Sequence, residues 1–399
     1  MIYLAGFFIT TFLFVVLVSK KGKSIADKIL AVWLFFTGVH LLLFYLFIAK
    51  DFTNFPYLLG IEKGLPLIHG PFLYIYTLSL TSANNIKAKN YLHFAPVIFI
   101  YVLLIPFFLL PAEQKIYVYK HQGAGYEWFI DILLPSIMIS GVVYIALCFY
   151  LLRRHKKNIE NQFSDTEKIN LNWMRYLIYG TSIIWIIVLL NLGDNYIYTA
   201  VVLYVFFIGY FGIKQVGIFS NAILQHNKSS IHNANTNKGF SSEGMIIQQD
   251  SIISSPESDI ASEEKINISS KTKYKKSSLT DENAKQIHHS LTRLMKEEKL
   301  FKDAELTLGE LSQKLNVHPN ILSQVINSFL NKNFYDYING LRVEEFIKLV
   351  QQPESKKYTL LSLSFECGFN SKTAFNRNFK KATGFSPTEY FSKSAIELQ

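Results

Sequence analysis

The chain has 399 residues, 50% of them hydrophobic, with Phe and Tyr far above ordinary usage and a net charge of +10. That composition excludes an ordinary soluble globular protein. Two cysteines, Cys148 in an apolar run and Cys367 far away in sequence, exclude a disulfide framework and a Cys-based zinc site.

Residues 1–220 hold 17 Lys and Arg against 10 Asp and Glu, residues 221–278 hold 7 against 6, and residues 279–399 hold 16 against 14. The basic excess therefore belongs mainly to the first half. That half contains seven apolar runs, near 1–18, 29–48, 58–82, 91–110, 129–152, 173–193 and 196–213. A helix needs about 20 mostly apolar residues to cross a hydrocarbon layer roughly 30 Å thick, so residues 1–220 are expected to form a seven-helix transmembrane bundle. The first run has no Lys or Arg before it, and Lys20, Lys21 and Lys23 follow it, which is the wrong charge order for a secretory signal. One set of short loops carries Lys20, Lys21, Lys23, Lys28, Lys87, Lys89, Arg153, Arg154, Lys156, Lys157 and Lys168, whereas the other carries Lys50, Lys115 and Lys120. This asymmetry predicts a multi-pass protein of the inner, cytoplasmic membrane, with the N-terminus outside and the C-terminal region in the cytoplasm.

Ionisable and amide groups inside apolar runs are costly and mark interiors, cavities or interfaces. Here they are His40, Glu62, Lys63, His69, Asp131, Asn191 and Asp194. Asp131, Asp194 and Glu62 lie within a turn or two of the expected outer surface, where solvation or pairing accounts for them. The third run also concentrates Gly60, Gly64, Pro66, Gly70 and Pro71 around Glu62, Lys63 and His69. Broken helices at membrane depth line protein or a cavity. Glu62, Lys63 and His69 are therefore the sensor candidates for an unknown signal ligand, the alternative being a static kink. A retinal protein is set aside because the last run has no central Lys; Lys214 falls at its inner end.

Residues 221–278 are rich in Ser, Asn, Lys and Gln, as in HNKSSIHNANTNKGFSSEG. Such a composition buries too little apolar surface to offset ordering entropy, so a flexible, disordered linker is expected. The cluster Lys271, Lys273, Lys275 and Lys276 reads as a solvated face, the alternative being contact with DNA or anionic lipid.

The segment TLGELSQKLNVHPNILSQVINSFL (Thr307 to Leu330) has the pattern of a helix, a tight turn and a second helix. Thr307 and Glu310 fit a capping box, Leu308, Leu311 and Leu315 share one face, and Pro319 suits the first turn of the second helix. That second helix has a buried stripe of Leu322, Val325, Ile326 and Phe329 and a polar stripe of Asn320, Ser323, Gln324 and Asn327. A shift of 53 residues carries the polar stripe onto Thr373, Asn376, Arg377 and Lys380, and carries Leu322 and Ile326 onto Phe375 and Phe379. Gly368 supplies a turn and Ser371 a cap. Two helix-turn-helix units thus recur in tandem within residues 279–399, joined by the helical pattern YDYINGLRVEEFIKLV (Tyr335 to Val350). A helix fits the major groove of B-DNA, where Asn, Gln, Lys and Arg match base edges, and two rigidly spaced copies suit successive grooves roughly 34 Å apart. Lys380 and Lys381 are suited to phosphate.

ECGFNSKTAFNRNFKKATGFSPTEY closely resembles the signature of the AraC/XylS transcription regulators, over about residues 281–393. The resemblance implies an all-helical domain of two helix-turn-helix units joined by a long helix. It implies base contacts from Asn320, Ser323 and Gln324 and from Lys372, Thr373, Asn376 and Arg377, with Gly368, Phe369, Phe375, Phe379, Gly384 and Pro387 as scaffold. Phe346 and Ser364 depart from the family, which usually has Ala at both places. Many members carry a soluble ligand domain in place of apolar runs, so no ligand transfers.

The expected fold class is all-α throughout. The expected function is that of a membrane-bound, one-component transcription regulator whose partners are double-stranded promoter DNA, the lipid bilayer, a signal ligand and a second protomer in a homodimer. No cofactor or metal is implied. An enzyme is not expected, because the sequence has no Gly-rich phosphate loop and no HExxH pattern; an intramembrane hydrolase would have to use Glu62, His69 or His93. The alternative is a transporter-like protein whose DNA-binding domain reports on substrate flux.

Overall fold

The computed structural model describes residues 1–49, 53–81, 86–167, 169–210 and 280–396. The fold is all-α, with an N-terminal helical bundle and a C-terminal helix-turn-helix region. The described residues form two compact units, residues 1–157 with 170–210 and residues 158–169 with 280–396. The connector expected at 221–278 lies outside the described residues.

The first unit contains α1 (Ile2–Ser19), α2 (Ile25–Ile48), α3 (Ile61–Gly64), α4 (Pro66–Thr81), α5 (Ala95–Leu103), α6 (Ile105–Phe108), α7 (Ala112–Lys120), most of α8 (Glu127–Gln162), α9 (Asn172–Leu189) and α10 (194–210). By length and composition α1, α2, α8 and α9 can each cross a membrane. The third apolar run is divided between α3 and α4, and the fourth among a 3-10 turn (Ala88–Phe94), α5 and α6. Proline explains the divisions, since Pro66 and Pro106 stand at helix starts where a missing N–H is tolerated. Ser24 and Asp27 form a capping box that starts α2 earlier than its apolar run. At the other end, α8 runs ten residues past 152 because LRRHKKNIENQ is rich in helix formers.

This bundle packs through narrow apolar stripes. In α1 the buried residues Gly6, Thr10, Leu13 and Leu17 follow helical spacing. Gly141 of α8 lies under the Trp185 indole so closely that a Cβ there would sit 2.2 Å from a ring carbon. Large apolar side chains also face outward, including Phe8, Phe12, Ile139 and Leu203, each more than 60% exposed. So many exposed apolar side chains are compatible with a surface that faces lipid.

The second unit contains α11 (Asp281–Glu297), α12 (Leu308–Lys314), α13 (Pro319–Leu330), α14 (Phe334–Val350), α15 (Leu360–Glu366), α16 (Lys372–Thr383) and α17 (Pro387–Ile396). It has two principal cores. One gathers Leu291, Met295, Leu308, Leu311, Leu322 and Ile326; the other gathers Leu363, Phe369, Phe375 and Phe379. The connecting helix α14 enters both, giving Phe334, Tyr337 and Ile338 to the first and Val343 and Phe346 to the second. One rigid element therefore belongs to both helix-turn-helix units.

Candidate nucleic-acid interface

Local chemistry sets both recognition helices. The Thr307 hydroxyl accepts from the Glu310 amide and the Glu310 carboxylate accepts from the Thr307 amide, so the expected capping box starts α12. Pro319 stands in the first turn of α13, with His318 as the N-cap through Nδ1, which accepts from the Asn320 amide. In the second unit Ser371 caps α16 by accepting from the Ala374 amide, and Gly384 ends it with φ 83°. Gly368 has φ 96°, and a Cβ on it would lie 2.7 Å from the carbonyl oxygens of Phe301 and Lys302. Both the backbone conformation and the close approach require glycine.

The repeat seen in the sequence is a repeat of structure. Leu322 and Phe375, and likewise Ile326 and Phe379, are buried at corresponding places of α13 and α16. One expectation fails: Phe329 is 39% exposed, not part of the buried stripe, and its ring stacks on His288 at 4.8 Å between centroids. Helical spacing placed Phe329 on the apolar face, but it lies near the last turn of α13, where α11 meets the face with a second aromatic ring instead of core.

Opposite the cores lie the expected DNA-facing residues. On α13, Asn320 and Asn327 are exposed and Ser323 and Gln324 half-buried, with Asn327 Nδ2 donating to the Ser323 carbonyl at 2.8 Å. On α16, Lys372, Thr373, Asn376, Arg377, Lys380 and Lys381 are all exposed. Lys381 is already paired with Asp336 at 2.7 Å, so its charge is partly spent within the domain. Arg377 Nη2 donates to Tyr335 Oη at 2.7 Å, and the buried Asn378 donates to the same oxygen at 2.7 Å. Sequence reasoning missed both partners. Tyr335 stood in the apolar pattern of the connecting helix, and Asn378 occupies the place of Val325 in the repeat, so a polar residue at an apolar repeat position was the available signal.

The departures from the family pattern are packed in. Phe346 is fully buried, with its ring centroid 4.6 Å from Phe375 and 5.7 Å from Phe379. Ser364 is also fully buried, and its hydroxyl donates to the Leu361 carbonyl at 2.7 Å, which satisfies the polar group a family Ala would lack.

Residues 311–393 match the family model described as a helix-turn-helix domain. The C-terminal region is an AraC-type helix-turn-helix domain. Such a domain supports DNA-binding transcription regulation. A solved structure, a protein with unknown function from Listeria innocua, is 26% identical and covers 26% of this chain and 92% of its own, with a TM-score of 0.22. No curated protein matches the chain.

The three sensor candidates do not converge. Glu62 accepts hydrogen bonds from the Gly60 amide at 3.0 Å and from the Tyr119 hydroxyl, and Lys63 Nζ lies 3.5 Å from the same carboxylate and 5.4 Å from the Tyr119 ring centre. His69 belongs to a different cluster. Trp33 Nε1 donates to His69 Nδ1 at 3.1 Å, His69 Nε2 lies 3.1 Å from His40 Nδ1, and His40 Nε2 lies 2.7 Å from the Tyr198 hydroxyl. The indole N–H can only donate, so with neutral rings the direction is fixed: His69 carries its proton on Nε2 and donates to His40, which donates from Nε2 to Tyr198. Trp33 and Tyr198 gave no signal in the sequence as members of such a chain. Among the described residues no group of His, Cys, Asp and Glu is arranged to hold a metal ion.

Proposed function

We propose that this chain is a membrane-bound one-component transcription regulator, whose N-terminal helices sense a signal and whose C-terminal domain binds specific promoter DNA in the cytoplasm. The observation that carries this reading is the presence, in one chain, of an AraC-type helix-turn-helix domain with two exposed polar recognition faces and, among the described residues, of four helices apolar and long enough to cross a membrane. The seven-span topology with the N-terminus outside rests on the pattern of apolar runs and loop charges.

In this reading α13 and α16 read bases through Asn320, Ser323, Gln324 and Asn327 and through Lys372, Thr373, Asn376 and Arg377, while Lys380 neutralises phosphate. The signal ligand acts on α3, α4 and their neighbours, where the Glu62 carboxylate accepts from the Gly60 amide and the Tyr119 hydroxyl. The test is crosslinking of the full chain to DNA in intact cells, followed by sequencing of captured fragments. A recurrent motif with two contacts on one DNA face, about 10 base pairs between centres, is expected. Fragments no more enriched than those captured by a chain lacking residues 280–396 would refute DNA binding.

A further inference from the structure

The loop between α8 and α9 belongs by contact to the DNA-binding unit. Residues 163–167 run across three of its elements. Phe163 forms an antiparallel bridge with Thr307, and the Ser164 amide and hydroxyl both donate to the Leu306 carbonyl, at 3.3 and 2.7 Å. In α14, Asn339 Nδ2 donates to the Ser164 carbonyl at 2.9 Å and Arg342 Nη2 to the Ser164 hydroxyl at 3.1 Å. At the second helix-turn-helix, Asn370 Nδ2 donates to the Asp165 carboxylate at 2.9 Å and the Ser371 hydroxyl donates to the Glu167 carboxylate. Ser164 and Thr166 are buried, at 2% and 7% exposure.

Arg342 shows that this is a built seat. Arg342 is 1% exposed, and its guanidinium also donates to the carbonyls of Phe301 and Asp303, each at 2.7 Å. Burial pushes its pKa down to about 10, opposed by the charge of Asp165, the Tyr335 hydroxyl and Asp303, so it remains a cation at neutral pH. Asp165 thus supplies a counter-charge from outside residues 280–396.

The position of the two carboxylates gives the contact a consequence. Ser371 is the N-cap of α16 and Asn370 precedes it, so Asp165 and Glu167 sit at the N-terminus of the second recognition helix. A helix N-terminus favours anions and is where a DNA phosphate would be received. We propose that residues 163–167 are an intramolecular partner of the DNA-binding unit, an acidic strap seated between its two helix-turn-helix units that competes with DNA phosphate for the start of α16. The competition rests on the DNA-binding reading above; the seating does not. Because the strap continues directly into α8 and α9, displacement of those helices acts on it without passing through residues 221–278. A signal that withdraws the strap frees the recognition helix.

The test uses the full chain in detergent micelles, with the parent, Asp165→Ala/Glu167→Ala, and a charge-matched control, Glu282→Ala/Glu297→Ala, whose sites are exposed on α11. A strap seated nine-tenths of the time lowers apparent DNA affinity about tenfold, so the strap variant should bind captured promoter DNA about tenfold more tightly than the parent and the control. Hydrogen exchange of the parent should show the Ser164 amide protected, and DNA should remove that protection. An equal gain in both double variants would reduce the effect to bulk charge and overturn the competition. An unprotected Ser164 amide in the free parent would overturn the seating. Protection without DNA binding by any of the three proteins would support the seating and overturn the DNA-binding reading instead.

Discussion

Arg377 and Tyr335 are joined across the DNA-binding domain: the guanidinium donates to the phenol oxygen at 2.7 Å, with its carbon 5.9 Å from the ring centre. A side chain on the second recognition helix is thus held by the first turn of the connecting helix. Arg377→Ala should lower affinity for cognate sites by about 1–3 kcal/mol, as expected for loss of a bidentate guanine contact. Tyr335→Phe removes the shared acceptor of Arg377 and Asn378 and should destabilise the domain by about 1–3 kcal/mol. Titration of captured fragments checks the first and denaturant unfolding the second. Equal affinity of Arg377→Ala for every captured fragment would remove Arg377 from the reading face.

Phe346 fills the second core in place of the small residue usual in the resembling family. Phe346→Ala should therefore cost about 3–5 kcal/mol, despite matching that family's preference. Cys367 lies in the same core, and burial pushes its thiol up to about 12. Alkylation of Cys367, followed by peptide mass spectrometry on the full chain, reports opening of that core. Slow labelling in the parent and fast labelling in Phe346→Ala are expected; equal rates would mean that the cavity collapses without loss.

At Gly368 a Cβ meets two backbone carbonyl oxygens and a left-handed φ together. Gly368→Ala should cost more than the roughly 1–2 kcal/mol of left-handed strain alone, because the carbonyls belong to a turn that Arg342 also holds. A melting temperature within a degree of the parent would show that the turn can yield.

Glu345 takes hydrogen bonds and charge from Lys299 and Lys302, at 2.7 and 3.0 Å. Burial works to raise its pKa, but the two ammonium groups outweigh it and hold the carboxyl below its usual range. Its folded pKa lies below the unfolded value of about 4.3, so the stabilisation is fully present above that value and is lost as pH falls through the folded pKa. Glu345→Gln should flatten the acid limb of the stability profile and leave its shape at pH 7–9 unchanged. An unaltered acid limb would show that other carboxylates set it.

In the N-terminal helical unit, His69→Ala leaves the Trp33 indole N–H without its acceptor and interrupts the chain to His40 and Tyr198, whereas Glu62→Gln acts on the separate Tyr119 site. Under the sensing reading, a promoter reporter at equal membrane abundance should lose its response in at least one of them. If both respond as the parent does, neither cluster receives the signal.

Local chemistry made much of the DNA-binding domain legible in the sequence. The Thr307 box, the Ser371 cap, the turn at Gly368 and the 53-residue repeat of buried positions each depend on residues a few places apart, and helical periodicity fixes which face is apolar. Periodicity does not say what a face will meet. Only the tertiary structure turned Phe329 toward His288, set Tyr335 between Arg377 and Asn378, split Glu62 from His69, and seated Ser164 on Arg342 from 178 residues away. Those relationships depend on long-range packing and on buried polar groups finding partners, and neither leaves a spacing in the chain.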